Sequence, residues 1–331
     1  MRTQFILILI AFLFSCGEKY DLPNHVPGVV KVSKGKVYVT YGEGGLIIYD
    51  DETQNLVAQI FPPQGMHSID DVAIDNDLIF VLDSRGHDFM AVFSLKDEKI
   101  KLVFAATRVQ GGPFNGISAS NGNLVISGGT FFLERFTYSN DGKIEGSVSF
   151  GRDRGHPDIH LSEDGDHAFV STDFSLEANP RFGVLSLQIG NSLSIPTVVS
   201  ELGIEGAGFT EGLTTPIGFP IKSATTNDRL IVAHGNGLTF IPISEGIFGS
   251  SYHLDIGINC TAVAVSEEIV YAVGLKDNVP FLVQVNLSNA NNPIIISSEA
   301  LLSEEIPTSI AIGENTLYVA VGSDGLIEIL K

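Results

Sequence analysis

The eight histidines of this chain are its side chains best suited to chemistry near neutral pH, and several stand close to other charged groups. His67 precedes Asp70, Arg85 precedes His87, and His156 leads into Asp158 within the run Gly151-Arg152-Asp153-Arg154-Gly155-His156-Pro157-Asp158. Asp173 and His234 each close an apolar segment. Imidazole and carboxylate brought together can hold a metal or move a proton. Guanidinium groups beside them could receive a carboxylate or a phosphate. The spacing matches no HExxH zinc helix, EF-hand loop, P-loop or GxSxG elbow. Asp70-Asp71 and Asp164-Gly165-Asp166 offer oxygen ligands for Ca²⁺, although Asp-Gly between apolar runs is first of all a hairpin turn. No site is assembled locally along the chain, so any chemistry depends on a fold that gathers these residues.

A repeat supplies that fold. Near the start, Tyr38-Val39 passes through Gly42, Gly44 and Gly45 into Leu46-Ile47-Ile48. Near the end, Tyr318-Val319 passes through Gly322 and Gly325 into Leu326-Ile327. Each reads as a hairpin with an aromatic-Val strand, a Gly-rich turn and an aliphatic strand. Tyr38, Phe80, Leu124, Phe169, Ile231, Tyr271 and Tyr318 anchor a series with intervals of roughly 40 to 60 residues. A short apolar run precedes each anchor, over residues 29–32, 72–74, 117–119 and 159–161, at Ile221, and over residues 263–265 and 310–312. An aliphatic third strand follows each anchor. Helical i, i+3, i+4, i+7 spacing is missing throughout. The pattern predicts an all-β chain forming a seven-bladed β-propeller, with six blades as the alternative because the fourth interval is the longest. The final unit supplies only three strands, and residues 21–26 are expected to close that blade as its outer strand. Pro23 is acceptable on such an edge.

The hairpin with Val37-Tyr38-Val39 and Gly44-Gly45-Leu46-Ile47-Ile48-Tyr49-Asp50 resembles the LVIVD-repeat propellers of secreted and surface bacterial proteins. The stretch from Leu282 through Val283, Val285 and Asn286 to Pro293 resembles the tail of the same repeat. His160-Leu161-Ser162-Glu163-Asp164-Gly165-Asp166, continuing to Ser171, is similar to the related YVTN-type blade. The resemblance implies a propeller and carries no specific chemistry. With Trp 0, the tryptophan-aspartate repeat family is excluded on its own signature.

The amino terminus reads as an address. Met1-Arg2-Thr3 is followed by an apolar run over residues 5–14. That run is too short to span a bilayer, which takes roughly 20 residues, and it fits a secretory signal. Leu13-Phe14-Ser15-Cys16 resembles a bacterial lipobox, which implies acylation of Cys16. The expected organisation is a signal peptide over residues 1–15, a lipid-anchored tether over 16–22 and one propeller over 23–331. The expected location is the bacterial cell envelope, with the membrane as partner through the lipid and the propeller a monomer. Cys260 is then the only other cysteine and sits in an apolar strand, as a buried inert thiol would. A net charge of −20 repels phosphate backbones and excludes nucleic acid as a partner.

In a propeller, the loops leading into the inner strands and those joining second to third strands open on one face. That geometry would gather His67, Asp70, Asn115, His156 and Asp158 with Arg85, His87, Asp173 and His234. Glu43, Asp83 and Gln110 join them by the same rule. Two insertions lengthen the fourth interval, and Phe209 in the second is an apolar tip placed to cover a ligand. Two functions compete. One is a binding platform for a protein, peptide or glycan, with no cofactor. The other is a metal-assisted hydrolase or lyase using Ca or Zn at the channel mouth. The missing catalytic motifs and the one-sided insertions favour binding.

Overall fold

A computed structural model describes residues 28–84, 89–108, 114–128, 132–151, 158–173, 182–190, 194–204, 222–235, 237–266, 268–288 and 293–331. Short runs of β-branched and aromatic residues, broken by Gly, Asn and Asp turns, build seven antiparallel sheets. The only helical turn among the described residues is Gly322–Asp324. The protein is a seven-bladed β-propeller, and the six-bladed alternative falls because seven separate sheets form, one per blade.

Each blade is a meander whose strands pair in chain order. The inner strands are Val30–Ser33, Asp71–Asp75, Phe114–Ser120, Asp158–Leu161, Lys222–Thr226, Asn259–Ser266 and Pro307–Ile312. They lie side by side around a central lumen. Second strands are the most deeply covered, and every residue of Leu78–Asp83 and of Thr316–Val321 is buried. Neighbouring strands take both edges and neighbouring blades take both faces, so the side-chain pattern is continuous rather than alternating. In blade five, Ile247–Phe248 and Tyr252–Leu254 share the outer position beside Gly237–Ser244. Blade seven has three strands among the described residues. Its expected fourth strand, residues 21–26, lies outside them, as does Cys16.

The core is divided among the seams. Seven apolar clusters form, each shared by two successive blades. The cluster of Val30, Val37, Val39 and Ile47 with Ala311, Tyr318 and Ala320 closes the ring between the last blade and the first. Gly45 (φ 88°) shows how tightly the strands meet, since a Cβ there would strike the Ile60 carbonyl.

Polar stitches join the inner strands close to the lumen. Ile117 N–H donates to Asp71 Oδ2 (3.2 Å), and Leu161 N–H to Ser118 Oγ (3.0 Å). Ser223 N–H donates to Asp158 Oδ2 (2.9 Å), and Thr261 Oγ1 to the Pro307 carbonyl (2.6 Å). Val30 N–H donates to Ser309 Oγ (3.2 Å) at the closing seam. Blade five departs from the expected apolar inner strand at Ile221: its strand reads Lys-Ser-Ala-Thr-Thr. Lys222 and Ser223 there meet the blade-four carboxylate of Asp158, and they are polar for that reason.

Candidate functional site

The inner strands deliver charged groups into the lumen from opposite sides. Lys31 on blade one lies in the field of Asp71 on blade two and of His160 on blade four. Asp71 in turn feels Lys222 on blade five and Asp158 on blade four. Interactions between blades one and four, and between blades two and five, must cross the channel. Lys31, Asp71, Asp158, His160 and Lys222 therefore form one electrostatic cluster in a lumen ringed by protein.

Within it, Lys222 Nζ sits 3.1 Å from Asp158 Oδ1, with the two side chains 25% and 13% exposed. Ser223 Oγ adds a bond to Asp158 Oδ2 at 3.1 Å. Burial alone would push the Lys222 ammonium down, but Asp158 and Asp71 together raise it above its ordinary value. Burial pushes the Asp71 carboxyl up, against the pull of Lys31 and Lys222. Asp71 also accepts Val72 N–H at Oδ1 (2.7 Å). Burial and the Lys31 charge lower His160 to about 4, only partly countered by Asp158. The imidazole is therefore neutral at physiological pH.

At the channel mouth of blade two, the loop carrying His67 and Asp70 is knotted to the turn after the second strand. Asp70 Oδ2 accepts Ser68 Oγ (2.7 Å), Ser84 N–H (2.9 Å) and Ser84 Oγ (3.0 Å). Asp83 accepts His67 N–H at Oδ2 (2.6 Å) and Ser68 Oγ at Oδ1 (3.1 Å). Asp83 is fully buried while His67 is exposed, so the carboxylates hold the loop and the imidazole is presented to solvent. On blade five, His234 is buried with its Nε2 2.9 Å from Thr239 Oγ1 and its ring stacked on His253 at 5.2 Å. Burial, with His253 beside it, lowers His234 to about 4. A shallow cleft of about 510 Å³ opens nearby between blades five and six, lined by Gly235, His253, Asp255, Ile258, Asn259 and Lys276 among others.

Of the residues singled out from sequence, the structure places His67 and Asp70 in one loop of blade two, Asp158 in the lumen, and His234 inside blade five. Asp158 belongs to an inner strand, His67 and Asp70 lie in the loop that leads into the inner strand of blade two, and His234 is packed beneath the surface. Asn115 and Asp173 lie in strands whose backbone is described but whose side chains are not. Arg85, His87, His156 and Phe209 lie outside the described residues. Among the described residues no group of three or more His, Cys, Asp or Glu side chains has metal-holding geometry. Cys260 is a free, buried thiol pushed up to about 12 by burial.

Sequence reasoning passed over Lys31, His160 and Lys222. A signal was present: Val30-Lys31-Val32 and Ile159-His160-Leu161 each set one base between aliphatic neighbours in an inner strand. A strand buried on both faces has no place for such a base unless that position meets a channel.

No family model matches the chain, and no curated protein does. The solved structure "Structure of U3-55K" superposes with a TM-score of 0.63 at 10% identity, covering 93% of this chain and 96% of that one. In all, 1322 solved chains share the likeness, so it shows the fold alone.

Proposed function

We propose that the protein is a cell-envelope lipoprotein, held to a membrane by a lipid on Cys16, whose propeller is a binding platform for a protein, peptide or glycan. The face that opens on the channel mouth is the binding surface. One observation carries the reading: four blades send Lys31, Asp71, Asp158, His160 and Lys222 from their inner strands to one central cluster, and the loop entering blade two carries an exposed His67. A concave spot with a few convergent polar groups is the usual form of a ligand site. A rigid ring with one rich face suits recognition, since the loops need no further ordering on binding. The sequence features of the leader support the address.

The test has two parts. Labelled fatty acid fed to cells should enter the wild-type chain and not Cys16→Ala, and label retained in that variant overturns the anchor. Cross-linking in intact envelopes should yield a defined partner. That product should be lost with His67→Ala and kept with Lys34→Ala on the opposite face. Equal products from both variants overturn the choice of face.

A further inference from the structure

We propose that the cleft between blades five and six binds a zwitterion, either a free amino acid or a short peptide with charged ends. Its ammonium is held by Asp255 and Asp277, and its carboxylate by Lys276 and His253. The inference deepens the platform reading and rests on it only for the face concerned.

Three turns of the ring build the cleft. Gly235 follows the second strand of blade five, and residues 255–258 lead into the inner strand of blade six. Asp277 stands in the tight turn between the second and third strands of blade six. Turns of these kinds open on the mouth face, so the cleft belongs to that face. At about 510 Å³ it has the size of a small-ligand site. Each wall carries one acid and one base, Asp255 with His253 on the blade-five side and Asp277 with Lys276 on blade six. Among the described residues, none of Asp255, Lys276 and Asp277 makes an ion pair. Acids and bases thus share one opening without closing on one another.

Contacts at the edge of the cleft hold these side chains and leave functions over. Asp255 Oδ1 accepts Gly257 N–H (2.8 Å), which leaves Oδ2 for a ligand. The His253 ring stacks on buried His234 at 5.2 Å with its Nδ1 3.5 Å from Thr239 Oγ1, which leaves Nε2. Lys276 Nζ lies 5.7 Å from the centroid of the Phe281 ring, a contact that uses none of its N–H donors. Asp277 (φ 52°) and Asn278 (φ 64°) form a two-residue turn with little freedom. Groups held in advance cost little ordering on binding. The chemistry then selects the occupant. An anion alone meets the fields of Asp255 and Asp277, and a cation alone meets that of Lys276. A zwitterion gives each group its complement. Ile258 and Leu275 also line the cleft and offer an apolar surface to the carbon atoms between the two poles. The charged side chains are exposed, so water and salt weaken their pull and a small probe binds in the millimolar range.

The experiment uses the full chain in non-ionic detergent micelles with ¹⁵N-labelled histidine rings. The His253 signal is identified by its loss in His253→Gln. Glycine and triglycine are the zwitterionic probes, one a free amino acid and the other a short peptide. Ethylammonium chloride and sodium acetate carry one pole each. At equal ionic strength a zwitterion should shift the His253 signal saturably, and the single-pole probes should act roughly tenfold more weakly. The stronger of glycine and triglycine tells whether the cleft takes amino acids or peptide ends. Asp255→Asn and Lys276→Gln should each weaken the zwitterion roughly tenfold with the thermal midpoint unchanged. A wild-type response flat through about 100 mM of both zwitterions overturns the site, however the variants fold. An equal response to acetate or ethylammonium overturns it too, as does a zwitterion response unchanged in both variants. No probe response with partner cross-linking intact sinks the cleft alone. The reverse pattern sinks the platform alone.

Discussion

Two histidines make this propeller sensitive to mild acid. His160 and His234 both stand at about 4 in the folded protein, against 6.5 for an ordinary imidazole. Between those values the unfolded chain takes up protons that the folded chain refuses. The stability they contribute is complete above pH 6.5 and drains away as pH falls towards 4. Each is worth on the order of 2 kcal/mol over that window. Asp71 works in the opposite sense, because its raised carboxyl favours the folded state once protonated, but only at the acid end. The thermal midpoint should therefore drop between pH 7 and pH 4.5, and His234→Gln should flatten the drop. A midpoint independent of pH would show that neither ring is held neutral. The burial of His234 could not have been foreseen from its place at the end of a strand. What decided it was the outer strand Tyr252–Leu254, which lays His253 over it.

At the scale of the strands, the inner ring is joined by side chains acting across seams. Ser309 serves blade one with both its donor and its acceptor functions, 3.2 Å to Val30 N and 3.3 Å to Val30 O. Ser309→Ala should cost about 1 kcal/mol in denaturant unfolding. Asp158 carries more, because it satisfies Ser223 and compensates Lys222. Asp158→Ala should cost about 3 kcal/mol, since it strands an ammonium in the lumen. Adding Lys222→Met should restore part of that loss, and a strictly additive double variant would refute the coupling. The strands themselves were largely legible: the residues at 46–49, 90–93 and 326–329 all fall inside observed third strands. Blade five was misplaced because its inner strand carries Ser223 and Thr225, and an apolar criterion cannot see a strand whose open side is a channel.

For the whole molecule, closure of the ring is the decisive contact. Tyr318 OH donates to Asp51 Oδ1 at 2.7 Å, and Glu314 N–H donates to Asp51 Oδ2 at 2.7 Å, linking blade seven to the turn of blade one. Burial and the Asp51 bond raise the Tyr318 hydroxyl well above its ordinary value. Tyr318→Phe should lower stability by about 1 to 2 kcal/mol, because Asp51 is then left short of a donor in a buried place. If the ring closes chiefly through the apolar cluster of the same seam, the substitution will leave the unfolding midpoint unchanged. The comparison of Tyr318→Phe with Tyr138→Phe, which breaks an analogous 2.6 Å bond to Asp75 between blades two and three, separates closure from an ordinary seam.

By itself, the sequence determined most of the strands and their turns and put the units at seven, with six as the alternative, because these follow from local alternation, Gly and Asn at tight turns, and repetition. It also marked Cys260 as buried through its apolar neighbours, which the structure repeats at 4% exposure. Tertiary structure alone decided which polar residues meet. Lys31 and His160 are far apart along the chain and on blades one and four, and only a closed ring narrow enough for charges to act across it makes them neighbours. Packing of blade five on blade four turned Asp158 from a loop-face candidate into half of an ion pair, and the outer strand Tyr252–Leu254 turned His234 from a surface group into a buried one. Pairing across a lumen leaves no periodic trace in the chain, so it had to be seen in three dimensions.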